Sequence, residues 1–128
     1  MTLDRETISA VRHFTITYLK LTSSRSKLLA HATRVIEGGG EPWVGASLFR
    51  LWDSVINPRV SDASEVFTRE EWAAIIVYDR AIRSFASTAP GCDVPLGEFV
   101  QSSEYEGIAA CARTCLRSFR RFWFFYAA

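Results

Sequence analysis

The chain has 128 residues, of which 48% are hydrophobic, and its formal net charge at pH 7 is +1. This length and composition fit a folded protein with one hydrophobic core, so we expect residues 1–128 to form a single helical domain. A net charge this close to zero argues against a nucleic-acid-binding protein that is basic over its whole surface, and no nucleic acid is expected as a partner.

The charges are distributed unevenly along the chain. Residues 1–40 carry +3, residues 41–106 carry −6 and residues 107–128 carry +4. Either basic terminal helices pack beside an acidic middle segment, or the chain presents a positive patch to an anionic partner. The acidic side chains of the middle segment form a second candidate surface, which would attract a basic partner; they are Asp53, Asp62, Glu65, Glu70 and Glu71.

The first predicted helix covers residues 5–36, with Asp4 as its N-cap and Gly38 just past its end. Residues 22–26 have poor helix propensity and are a candidate bend. Spacings of three and four residues define a seam for packing, which consists of Val11, Phe14, Tyr18, Leu21, Arg25, Leu28, Ala32 and Val35.

Three further helices follow in the sequence. One is predicted from about Trp43 to Ile56, and residues 59–67 are predicted to form a loop. The next begins at a capping box of Thr68 and Glu71 and ends near Pro90. Its inward residues are Trp72, Ile75, Ile76, Ile82 and Phe85.

A short helical turn is predicted after Pro95, and a second capping box, Ser103 with Glu106, begins the final helix. The inward stripe of this helix is Ile108, Ala112, Cys115, Phe119, Phe122 and Tyr126. The pattern predicts an all-α fold: a compact bundle of four main helices plus one short helix, with a long N-terminal helix packed against an aromatic-rich C-terminal helix.

No metal, cofactor or catalytic site is expected from the sequence. His13 and His31 would lie roughly 27 Å apart on one straight helix, which is too far to share an ion. Cys111 and Cys115 share a helical face but lack further local ligands, and with Cys92 they are predicted to be free thiols. Charged residues interrupt residues 1–30, so neither a secretory signal nor a spanning helix is predicted there, and we expect a cytoplasmic location.

Three charged residues occupy positions that predict burial. Asp79 lies within the apolar arc of its helix, Arg83 follows one turn later, and Arg25 occupies the seam of the first helix. Because a charge facing a core is costly unless paired, Asp79 is predicted to bond to Arg83, to Arg25 or to both. The alternative interpretation is an internal Asp/Arg site that binds or converts a small molecule.

The C-terminal segment mixes arginines with five consecutive aromatics, residues 122–126. Consecutive residues project in all directions around a helix, so one buried stripe cannot cover all of these rings. Three alternatives could cover these rings: the chain's own core, an interface with a partner, or a membrane surface on which residues 113–126 would lie. The candidate interface residues are Arg117, Arg121, Phe122, Trp123, Phe124, Phe125 and Tyr126.

These patterns favour a non-enzymatic protein–protein interaction module, of the inhibitor, immunity, antitoxin or adaptor type. The expected partner is another protein or a second copy of the chain, most simply in a homodimer through the C-terminal helix. The alternatives are the small-molecule bundle with the Asp/Arg site and a peripheral membrane protein, the latter disfavoured because the segment is short and has four cations.

Overall fold

The computed structural model describes residues 3–88 and 93–127, with the side chains of residue 88 and residues 120–127 not described. The all-α prediction is confirmed: within the described residues there is one isolated bridge, Val44 with Pro95, and no strand. The elements are α1 (Arg5–Thr22), α2 (Arg25–Glu37), α3 (Gly45–Ile56), a 3-10 segment (Asn57–Asp62), α4 (Ala63–Val66), α5 (Arg69–Thr88), α6 (Leu96–Phe99) and α7 (Ser103–Ala127).

The predicted first helix is in fact two helices. Asp4 caps α1 as expected, its carboxylate accepting the N–H of Thr7 at 2.7 Å. The helix ends at Thr22, and α2 starts after Ser24, whose hydroxyl accepts the N–H of Lys27 at 3.3 Å. Serine side chains compete with the helical backbone for hydrogen bonds, so the poor helix formers at this position cause a break rather than a bend.

The segment predicted as a loop, residues 59–67, is largely helical, and this prediction was wrong. It contains most of the 3-10 segment and all of α4. Ala63, Val66 and Phe67 are buried there against the core. Burial of these side chains favours local helical structure that the sequence pattern alone does not predict.

Helix α7 runs antiparallel to both α1 and α5. Near its start, the hydroxyl of Tyr105 donates to the carbonyl of Thr22, at the end of α1. Further along α7, the ring of Phe119 contacts Phe67, just before α5 begins, and Arg12, in the middle of α1. The core draws on every helix; its fully buried large residues include Leu19, Leu28, Leu48, Trp52, Ile75, Tyr78, Ile82, Val100 and Tyr105.

The two predicted capping boxes have different outcomes. Thr68 and Glu71 form theirs: each side chain accepts the other residue's backbone N–H, at 3.1 and 2.9 Å. The second prediction was wrong by one residue, because the hydroxyl of Ser102 accepts the N–H of Tyr105 at 3.2 Å. This register places Tyr105 in the core and leaves Glu106 on the surface.

Candidate functional site

The C-terminal part of α7 extends past α5, one of the two helices against which it packs. The rings of Phe119 and Phe67 lie 6.0 Å apart, and Phe67 precedes the first residue of α5. Helix α5 therefore has no further turn beyond the level of Phe119, whereas α7 continues to Ala127, about 12 Å further at the rise of an α-helix.

Only part of the predicted interface can be located. Arg117 is exposed on α7, two positions before the buried Phe119. The side chains of the other candidates, Arg121 and residues 122–126, lie outside the described residues.

A buried ion pair joins α1 to α5 at this same end of the molecule. Both carboxylate oxygens of Glu71 accept hydrogen bonds from the guanidinium of Arg12, at 2.7 and 2.8 Å, and the Glu71 side chain is 0% exposed. Arg12 also donates to the carbonyl of Val66, and its guanidinium lies 5.6 Å from the ring centroid of Phe119. The bidentate pair joins α1 to α5, and the contact of Arg12 with Phe119 joins α7 to them.

This pair was not predicted from the sequence, although a signal for Glu71 exists. The buried residues of α5 are spaced alternately by four and three, and Glu71 is the first of them, followed by Ile75, Tyr78, Ile82 and Phe85. Glu71 thus combines two roles, because it caps α5 and also neutralises Arg12 in a dry environment.

The predicted acidic surface does not form. Glu71 is buried, Asp53 accepts from Arg83, and Asp62 lies 3.8 Å from Arg59. The remaining two candidates differ, since Glu65 accepts the N–H of Leu3 and Glu70 is exposed. Most of these carboxylates form contacts within the protein, so the five predicted residues do not make up one exposed acidic face.

The structure brings Asp79 and Arg83 together. The two carboxylate oxygens of Asp79 accept from Trp52 Nε1 at 3.0 Å and from Arg83 Nε at 2.8 Å. Arg83 also donates to Asp53 at 2.6 Å, and its guanidinium lies 5.3 Å from the ring centroid of Phe49. The hydrogen bond to Asp79 raises the pKa of the Arg83 guanidinium, which stays charged. The cluster is half-buried and ties α3 to α5.

Arg25 does not reach Asp79, and this part of the prediction is corrected. The break after Thr22 makes Arg25 the first residue of α2, where it is exposed and donates to Glu106 at 2.6 Å. Its guanidinium also lies 5.9 Å from the ring centroid of Tyr105. The three-four seam therefore does not continue through residue 25, and no buried ion pair forms there.

Two buried tyrosines form a polar contact inside the core. Tyr18 donates to the carbonyl of Leu48 at 2.9 Å, so the 2.8 Å contact between the two hydroxyls has Tyr78 as donor to Tyr18. Burial raises the pKa of both phenols, which remain neutral. In the same way burial, reinforced by the charge of Glu71, raises the pKa of the Cys115 thiol to about 12, which makes it a poor nucleophile.

The histidines and cysteines lie in separate places. His13 is exposed on α1, whereas His31 on α2 packs against Trp43 with ring centroids 4.7 Å apart. Cys111 and Cys115 are free thiols on α7, and Cys92 lies outside the described residues. Within the described part of the chain, no group of three or more potential ligands is arranged to hold a metal ion.

Two further observations bear on function. Among the described helices, none combines the length and apolar composition that crossing a lipid bilayer requires. Comparison of the chain with models of protein families, with curated proteins and with solved structures gives no match.

Proposed function

We propose that this protein is a non-enzymatic protein–protein interaction module that associates through the C-terminal end of α7, most simply with a second copy of itself in the cytoplasm. The observation that carries this proposal is the register of α7. Its packing against α5 reaches only the level of Phe119, whereas five consecutive aromatic residues follow, at 122–126.

An aromatic run of this kind needs cover from more than one side. Successive residues on an α-helix are rotated by about 100°, so five of them project around the whole circumference. Phe124 falls about 160° from the direction of Ile108, a residue that faces the core. A second copy that packs its own α7 end against this one would cover, on both subunits, the face that points away from the chain's own core, and Phe, Trp and Arg are residue types enriched in interface cores.

The rival function, a small-molecule site around Asp79 and Arg83, has less support. Both oxygens of the Asp79 carboxylate already accept hydrogen bonds, and Arg83 is shared between two carboxylates. Binding a ligand there would require the protein to give up contacts that join α3 to α5. We therefore interpret the cluster as structural.

The test is the solution mass of the full chain beside a truncation that ends at Arg121, by light scattering after size exclusion. We expect a dimer for the full chain and a folded monomer for the truncation. Phe124→Ser should shift the full chain toward monomer. The matched control, Val77→Ser, removes an apolar side chain that is 57% exposed on α5 and should leave the dimer intact.

Two results would contradict the proposal. A full-length chain that stays monomeric at all concentrations, and whose truncation unfolds, would show that the aromatic residues belong to the chain's own core. A monomer that co-sediments with lipid vesicles, and loses this binding on truncation, would instead support attachment to a membrane surface.

A further inference from the structure

A basic groove lies between α1 and α2, on a part of the molecule separate from the end of α7. It has a volume of about 300 Å³ and is lined from α1 by Thr17, Lys20 and Leu21, and from α2 by Lys27, Ala30 and Arg34. Three of its six lining residues are cationic and none is acidic. Both lysines of the chain are among them, and the other thirteen of its fifteen Lys and Arg residues are arginines.

The charges of this groove are not neutralised within the described part of the protein. Arg12 and Arg25, which belong to the same two helices, pair with Glu71 of α5 and Glu106 of α7. In contrast, none of the three groove cations forms a salt bridge with any residue whose side chain the structure describes.

Neither of the acidic residues on these two helices lines the groove. Helix α1 carries a single acid, Glu6, in its first turn, and α2 carries a single acid, Glu37, at its last residue. Of the six cationic residues among residues 1–40, two pair with acids of the middle segment and three line the groove, while Arg5 lies at the first residue of α1.

We propose that this groove binds a phosphate-bearing ligand. Lysine ammonium groups act as mobile point charges for phosphate oxygens, and the guanidinium of Arg34 can donate two parallel hydrogen bonds to them. The hydroxyl of Thr17 supplies a further donor at the rim. Leu21 and Ala30 supply an apolar surface for the organic part of the ligand. Both a free phosphate ester and a phospholipid headgroup have such an organic part.

The experiment is a calorimetric titration of the full chain with inorganic pyrophosphate at constant ionic strength. The groove variant, Lys20→Gln with Lys27→Gln, should bind at least about tenfold more weakly, because two charge-assisted contacts are lost. The matched control, Arg50→Gln with Arg80→Gln, removes the same charge from exposed positions on α3 and α5 and should change the affinity by no more than about twofold.

A second arm distinguishes the two sources of phosphate. Vesicles of phosphatidylcholine, with or without a phosphatidylinositol phosphate, are sedimented with the full chain and with both double variants. Binding is groove-dependent if the groove variant weakens it and the control variant does not. Groove-dependent binding to pyrophosphate but not to vesicles supports a free phosphate ester as the ligand, and groove-dependent binding only to the phosphoinositide vesicles supports a lipid headgroup. Binding of neither probe, or equal weakening in both double variants, would overturn the proposal, because general charge attraction would then explain any affinity.

Discussion

Helix α5 carries two ion pairs that use the same chemistry in different surroundings. In its first turn, Glu71 accepts two hydrogen bonds from Arg12 and is 0% exposed. Two turns later, Asp79 accepts from Arg83, with side chains 18% and 39% exposed respectively. Both pairs have short N···O distances, but the first is bidentate and buried, whereas the second is a single hydrogen bond that water can reach.

The difference shows how burial changes what an ion pair contributes. Around Glu71, removal of one partner leaves the other charge in a medium that solvates it poorly, so the pair is costly to break. Around Asp79, water can take over part of a lost contact, and Arg83 keeps a second carboxylate in Asp53. Breaking the pair at the start of α5 should therefore lower the free energy of unfolding more than breaking the pair in the middle of α5.

The largest expected effect is that of Glu71→Gln. This nearly isosteric change keeps an oxygen to cap α5 but removes the charge that neutralises Arg12. We expect the free energy of unfolding to fall by about 3 kcal/mol, within the range for a broken buried pair. Urea denaturation followed by circular dichroism measures it.

The neighbouring Glu70→Gln is the matched control, because Glu70 is exposed and its loss should change stability by no more than about 0.5 kcal/mol. Equal effects of the two variants would mean that the burial of Glu71 is not what makes its ion pair important.

The second prediction concerns buried groups that stay neutral instead of pairing as ions. The pKa values of Tyr18 and Tyr78 are raised by burial, so the unfolded chain ionises first as pH increases. Their contribution to stability is complete below the ordinary tyrosine pKa of about 10 and is lost above it, by about 1.4 kcal/mol per pH unit for each phenol. Denaturation midpoints at pH 8 and pH 11 measure this loss.

The double variant Tyr18→Phe with Tyr78→Phe provides the comparison for that measurement. It lacks both phenols, so its stability should fall less steeply between the same two pH values, whatever its stability at pH 8. A slope identical to that of the unmodified chain would show that other groups govern the alkaline loss.

The third prediction returns to the half-buried pair. Asp79→Ala removes the acceptor of the buried Trp52 N–H and one partner of Arg83. We expect a loss of about 1–2 kcal/mol, smaller than for Glu71→Gln, and Asp79→Asn should restore part of it because an amide oxygen can still accept from Trp52. No loss of thermal stability in Asp79→Ala would show that the pairing contributes nothing.

The sequence predicts well those features that depend on local patterns. The capping box of Thr68 and Glu71 and the four-residue spacing of Asp79 and Arg83 both appear in the structure, because each is set within one turn of one helix. The all-α fold follows in the same way from helical periodicity, which extends over most of the chain.

Features that depend on contacts between distant segments could not be predicted in this way. Arg12 and Glu71 are separated by 59 positions, and the fit between α1 and α5 that joins them is not visible in either helix alone. The prediction for Arg25 was wrong for a related reason. Its place in the seam assumed an unbroken helix, but two serines interrupt the helix just before Arg25.

The smallest expected effect is that of Arg25→Gln, which breaks an ion pair that is more exposed than either pair of α5. Arg25 and Glu106 are 44% and 58% exposed, and their 2.6 Å contact lies in water. Exposed pairs contribute about 0.2–1 kcal/mol and are screened by salt, so we expect a loss of no more than about 0.5 kcal/mol at low salt that vanishes at 1 M salt. A loss that approached that of Glu71→Gln and persisted at high salt would contradict this prediction. The stabilisation would then come from the contact of Arg25 with the ring of Tyr105 rather than from the ion pair, because that contact also depends on packing of the Arg25 side-chain stem.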